Sequence, residues 1–227
     1  MGMTFGITFW ALMAVSAAAA LAYGTYFLDR PRTWARALVK TAFMGAMTGA
    51  FIVAGAPFPL VFALAAGTAG DFFLAFENKN GTLPLGIMSF LAAQLLYLLI
   101  FFALWFFSGD NSPLWPRYGA MALIIATALA FLIWMGPKLG WMALGVVPYA
   151  IAITGMACMA MWMPWAGWPA MIGAISFLVS DFVLAAELFR LPPDAPARRI
   201  TAPVVWWTYV AAQVLIVYGV VLTAFAS

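Results

Sequence analysis

Apolar residues fall along this chain in long runs rather than in alternation. Eight runs, each near the ~20 apolar residues that carry a helix across a bilayer, are separated by short segments holding Pro, Gly and most of the charge. They span about Phe5–Leu28, Ala37–Ala54, Phe58–Phe76, Leu83–Phe107, Arg117–Met135, Leu139–Trp162, Ala170–Leu188 and Ala202–Ala226. Pro57 and Pro59 punctuate the entry to the third run, Gly136-Pro137-Lys138 reads as a short turn, and Arg190–Ile200 as the longest loop. The first run lacks a basic leader and exceeds a signal-peptide core, so it is expected to stay as a helix. Gly45-x-x-x-Gly49 in the second run suits close helix packing. The pattern predicts an all-α, polytopic protein: a single transmembrane domain over residues 1–227, with eight transmembrane helices and no room for a soluble domain.

Charge orients it. The segments after runs 1, 3, 5 and 7 hold Arg30, Arg32, Arg36, Lys40, Lys79, Lys138, Arg190, Arg198 and Arg199, and the other side only Arg117. By the positive-inside rule both termini lie outside and the basic face is cytoplasmic. Reporter fusions after Glu77 and Arg199 are therefore expected to report cytoplasm, and fusions after Asn111 and Ser227 the outside. A cytoplasmic C-terminus would overturn this orientation.

An eight-residue stretch inside these runs occurs twice. Gly70-Asp71-Phe72-Phe73-Leu74-Ala75-Phe76-Glu77 returns 110 residues later as Ser180-Asp181-Phe182-Val183-Leu184-Ala185-Ala186-Glu187, with five of eight positions identical. A carboxylate at the centre of a spanning helix costs about 2.5–3.5 kcal/mol on the insertion scale, so Asp71 and Asp181 read as functional. Glu77 and Glu187, six residues on, would mark the wet surface. The next runs repeat too: Phe90-Leu91-Ala92-Ala93-Gln94 against Tyr209-Val210-Ala211-Ala212-Gln213. An offset of four helices preserves direction, so the predicted arrangement is two parallel four-helix repeats, about 1–108 and 117–227. Such symmetry would make the two Asp counterparts in one central cavity.

The surroundings suit a lined cavity. Gly67 and Thr68 leave room beside Asp71; Gln94 and Tyr97 share one helix face, as do Tyr209 and Gln213. Each Gln could equally serve as interhelical glue. Lys40 could pair with an acid or snorkel to the interface.

Composition narrows the chemistry. With 67% hydrophobic and 7% charged residues the chain is no ordinary globular protein, and 20 Phe, 11 Trp and 7 Tyr suit long bilayer boundaries. The absence of histidine removes the commonest metal ligand and every Ser-His or Cys-His nucleophile, and the one cysteine, Cys158, reads as packing. No metal, cofactor or nucleic-acid partner is expected.

The residues also carry a family resemblance. A basic segment ending in Lys40, Ala69-Gly70-Asp71-x-x-Leu74, Gly86-x-x-x-Phe90-x-x-x-Gln94-x-x-Tyr97, Val147-x-Tyr149 with Met156, Ser180-Asp181-x-x-Leu184-Ala185 and Tyr209-x-x-x-Gln213 together resemble the YhhN, or lysoplasmalogenase-like, integral membrane proteins. The resemblance implies a multi-pass enzyme of a bacterial inner (cytoplasmic) membrane. Its reaction would be cleavage of the vinyl ether of lysoplasmalogens to a fatty aldehyde and glycerophospho-ethanolamine or -choline. A lysophospholipid substrate and membrane lipids would be its partners. The family's acidic motifs map onto Asp71 and Asp181 as catalytic residues. Lys40, Gln94, Tyr97, Tyr149, Ser180, Tyr209 and Gln213 become candidate substrate contacts. Two departures stand out: Gln94 where the family pattern has His, and Lys40-Thr41 where it has Lys-Pro.

Vinyl ether hydrolysis needs a proton donor to carbon and an anion or base beside the resulting cation. Two acids in one site can divide these roles without histidine or metal. Asp181 is the expected donor and Asp71, nearer Lys40 in sequence order, the base, although the sequence fits the reverse as well. Arg30, Arg32, Arg36, Arg198 and Arg199 could attract a lipid phosphate or simply set topology. From the residues alone, a proton-coupled transporter of a small or lipid-like substrate fits nearly as well as an enzyme, and a structural membrane protein with inert, paired acids is a third alternative.

Overall fold

The computed structural model describes residues 3–76, 81–108, 115–192 and 195–226. Among them all regular structure is helical: α1 (Ile7–Ala22), α2 (Trp34–Val53), α3 (Phe58–Leu74), α4 (Thr82–Phe107), α5 (Trp115–Leu139), α6 (Ala143–Ala160), α7 (Trp168–Phe189) and α8 (Arg198–Ala226). A π-helical segment, Tyr23–Phe27, prolongs α1. A 3₁₀ turn, Gly140–Met142, joins α5 and α6 into one run of 46 residues, Trp115–Ala160. Six of the resulting helical runs are long and apolar enough to cross a membrane, while α3 is shorter, at 17 residues. Large apolar side chains cover the outer faces, among them Phe58, Ile133 and Leu144 at 77%, 78% and 85% exposure, which suits lipid rather than water. The chain is a multi-pass membrane protein.

The turn expected at Gly136-Pro137-Lys138 lies elsewhere. Helix α5 runs through Pro137 to Leu139, because a proline in a last turn forfeits only one backbone hydrogen bond. The break comes at Gly140, whose φ of 53° is the left-handed conformation that ends helices and favours glycine. The loop expected over Arg190–Ile200 is likewise shorter, since α8 begins at Arg198. Glu77, Lys79, Asn111 and the rest of 109–114, and residues 193–194 lie outside the described residues.

The chain forms two compact units, Met1–Tyr97 and Leu98–Ser227, with the boundary inside α4. In the first, α2 packs against both α1 and α3. Polar links reinforce this: the Ser16 hydroxyl donates to the Phe43 carbonyl at 2.7 Å, and the hydroxyls of Thr48 and Thr68 bond at 3.0 Å. Gly45 and Gly49 form no common seam, since Gly45 faces Thr68 of α3 and Gly49 faces Leu12 of α1, each with ordinary clearance of 3.6 Å for an added Cβ. The tight glycines are others. A Cβ on Gly70 would meet the Phe90 ring at 2.6 Å, and one on Gly86 would meet Leu74 at 2.7 Å, so α3 and the start of α4 pack unusually close.

In the second unit α7 and α8 form the closest pair. A Cβ on Gly219 would lie 2.4 Å from the Ala170 backbone nitrogen, and one on Gly173 would lie 2.8 Å from that of Ile216. Such backbone-to-backbone approach is how small residues drive helix association in lipid. One turn apart on α7, Ser176 and Ser180 donate to the Thr208 and Val205 carbonyls of α8 at 3.1 and 2.9 Å. Arg117, alone on its side of the membrane by sequence, donates to the Met161 and Met163 carbonyls and lies over the Trp165 ring. It thereby closes the carbonyl end of α6, where helices lack partners.

Candidate functional site

Asp71 and Asp181 occupy the same place in their helices. Each helix opens on an aromatic-proline pair, Phe58-Pro59 in α3 and Trp168-Pro169 in α7, and each Asp is the fourteenth residue. Proline suits such a start because its missing N–H is one the first turn would leave unpaired anyway. Asp71 is 1% exposed, whereas Asp181 is half-buried.

Each acid takes a polar partner from the preceding helix. Lys40 Nζ of α2 stands 3.9 Å from Asp71 Oδ1, a charge contact longer than a direct hydrogen bond. The Tyr149 hydroxyl of α6 donates to Asp181 Oδ2. Lys40 is the seventh residue of α2 and Tyr149 the seventh of α6. The two acids and their partners thus hold matching positions in their helices, within the residue or two by which helix boundaries are defined. What differs is the partner: a full positive charge beside Asp71, a neutral hydroxyl beside Asp181. Of the two readings open for Lys40, the structure bears out pairing with an acid.

The remaining candidates are buried. In the first unit Gln94 and Tyr97 are fully enclosed on one face of α4. In the second, Gln213 is fully enclosed and Tyr209 nearly so, its ring meeting Phe177, one turn before Asp181, edge-on at 5.6 Å. Ser180 is buried with its hydroxyl given to Val205, so it ties α7 to α8.

Glu187 departs from expectation. Read as a wet surface acid, it is 6% exposed, and the Thr201 hydroxyl donates to its Oε1. The reason is local: α8 begins earlier than its apolar run suggests and lays its first turn over the end of α7. Arg198 there donates to the carbonyls of Glu187 at 2.7 Å and Pro192 at 3.0 Å. Arg198 thus caps α7, and Arg190 similarly gives a hydrogen bond to the Trp134 carbonyl and covers its ring. These are structural uses of residues that charge counting alone offers as phosphate ligands.

Two proteins named Lysoplasmalogenase, from Mycobacterium bovis and Mycobacterium tuberculosis, are each 29% identical to this chain over 219 residues, which cover 88% of it and 80% of theirs. No solved structure matches it. The model described as the YhhN family matches residues 35–220. Because that match takes in both acids, their partners Lys40 and Tyr149, and the greater part of the helical body, the chain belongs to the YhhN family.

Proposed function

We propose that this protein is a membrane-embedded hydrolase that cleaves the vinyl ether of lysoplasmalogens, releasing a fatty aldehyde and glycerophospho-ethanolamine or -choline. The observation that carries this reading is the likeness, over 88% of the chain, to two relatives named Lysoplasmalogenase. The acids' surroundings lend it chemical support. In the proposed reaction Asp181 protonates the vinyl carbon remote from the ether oxygen, which leaves an oxocarbenium ion. Asp71, with Lys40 beside it, stabilises that cation and takes a proton from the attacking water. The hemiacetal then collapses: Asp71 gives its proton to the glycerol oxygen as that C–O bond breaks, the hemiacetal hydroxyl gives its proton to Asp181, and the aldehyde leaves with both acids reset. The division of roles follows the partners, a lysine beside Asp71 and a tyrosine hydroxyl beside Asp181. Tyr149 orients the Asp181 carboxyl, and Lys40, Gln94, Tyr97, Ser180, Tyr209 and Gln213 belong to the proposed substrate surroundings.

The proposal includes eight spans arranged as two parallel four-helix repeats, with both termini outside a bacterial inner membrane. The repeat draws support from the acids' equal placement in α3 and α7 and from their partners' equal placement in α2 and α6. The test is direct. Purified protein given lysoplasmenyl-ethanolamine should release aldehyde, with exhaustive chelation making no difference. The saturated-ether analogue, which offers no carbon to protonate, should stay intact. If no aldehyde appears while proteoliposomes show proton-driven uptake of a solute, the protein is a transporter and the hydrolase reading fails.

A further inference from the structure

Arg36 stands apart from the basic residues that cap helices. It is the third residue of α2, one turn before Lys40 on the same helix face, and so about 6 Å nearer the helix start at 1.5 Å per residue. The side chain is half-buried, its guanidinium 5.5 Å from the centre of the Tyr23 ring. Its Nε is buried with no hydrogen-bond partner among the described residues. Among the described residues its contact to a carbonyl, Nη2 to Leu28, measures 3.5 Å, the outer limit for a hydrogen bond. Arg117, Arg190 and Arg198 are each committed to backbone carbonyls, although Arg190 Nε is likewise buried with no partner among the described residues. Arg36 is instead weakly held, partly withdrawn from water, and left with donor capacity.

Its depth is informative. On the proposed topology α2 begins on the basic, cytoplasmic side, which puts Arg36 at headgroup level and the Lys40–Asp71 pair one turn deeper. A lysophospholipid has the same order along the membrane normal: phosphate outermost, then glycerol, then the sn-1 ether oxygen, then the chain. Only five bonds separate that oxygen from phosphorus, a reach of about one helical turn. The planar guanidinium presents paired N–H groups that match two phosphate oxygens. A swing away from Leu28 would be needed to present that edge to a phosphate.

We propose that Arg36 is the phosphate anchor of the substrate site, holding a lipid phosphodiester so that the sn-1 ether lies beside Asp71. This rests on the hydrolase reading for its reaction, but its test does not. Binding of a saturated-ether lysophosphatidylethanolamine and of the matching 1-O-alkylglycerol, neither of them hydrolysable, is measured on the full-length protein in detergent, together with thermal stability. The wild type should prefer the phospholipid by about tenfold or more, as expected of a charge-assisted pair. Arg36→Gln should lose that preference while holding alkylglycerol to within about twofold, and Arg36→Lys should restore part of it. Inorganic phosphate at the same concentration should not displace the lipid; equal displacement would make this a site for free phosphate and overturn the headgroup assignment. The proposal also fails if Arg36→Gln keeps the preference, or if it weakens both lipids equally with a fall in stability, which would mark Arg36 as a tether for the end of α1. Should the preference behave as expected while no vinyl ether is ever cleaved, the hydrolase reading alone fails.

Discussion

Asp71→Asn and Asp181→Asn are each expected to lower aldehyde release by about 10²–10⁴, the range for loss of general acid–base catalysis. Asn keeps the shape of the side chain while removing the charge and the acidic proton, so both variants should insert and purify as the wild type does. The double variant should be scarcely worse than either single one, because groups acting in one step are not additive. Tyr149→Phe, which leaves Asp181 its carboxyl but not its hydroxyl partner, should cost less than Asp181→Asn. Glu187→Gln retains an oxygen for the Thr201 hydroxyl and should stay within a few-fold of wild type. Additive, roughly tenfold losses from the two Asp changes would show that the acids do not act together. A Glu187 loss as deep as an Asp loss would move the catalytic acid to the end of α7.

The largest expected stability effects come from two glycines with no role in the chemistry. Gly219→Ala and Gly173→Ala each set a methyl against backbone of the facing helix, at 2.4 Å from the Ala170 nitrogen and 2.8 Å from the Ile216 nitrogen. A side chain could rotate away; backbone cannot, so α7 and α8 must separate. Each change is expected to cost about 3 kcal/mol, the upper part of the overpacking range, read as a lower melting midpoint and lower folded yield in detergent. Gly45→Ala and Gly49→Ala provide the contrast. With 3.6 Å available at each, they should be neutral or stabilising by about 0.5–1 kcal/mol, as expected when a helix interior loses a glycine. A Gly219→Ala protein that melts like the wild type would mean that the α7–α8 spacing is looser than described.

These glycines also show where the sequence is legible and where it is not. Run length depends on the chain's own composition, so the helical, multi-pass character can be read directly. Helix contacts depend on which face turns to which neighbour, and spacing alone does not say. Gly45-x-x-x-Gly49 has the spacing of a packing motif, yet its glycines face two different helices, while Gly173 and Gly219, alone in their runs, make the close approach. Burial at helix ends is similarly hidden. Glu187 looks like a surface acid until α8 is seen to begin at Arg198 and cover it. Tyr149 entered through a family motif only; its link to Asp181 becomes visible once the helix starts show it in the place that Lys40 holds in α2.

The unlike partners of the two acids bear on how such a chain could have arisen. If the halves descend from one ancestral segment working as a pair of identical subunits, every residue beside one acid had its twin beside the other. Two lysines, or two tyrosines, would have left neither acid distinguished. Joining the copies in one polypeptide released the seventh position of α2 from that of α6, so that Lys40 and Tyr149 could differ. Unlike surroundings for two chemically identical side chains are then a product of broken symmetry, and neither half, doubled, could reproduce them.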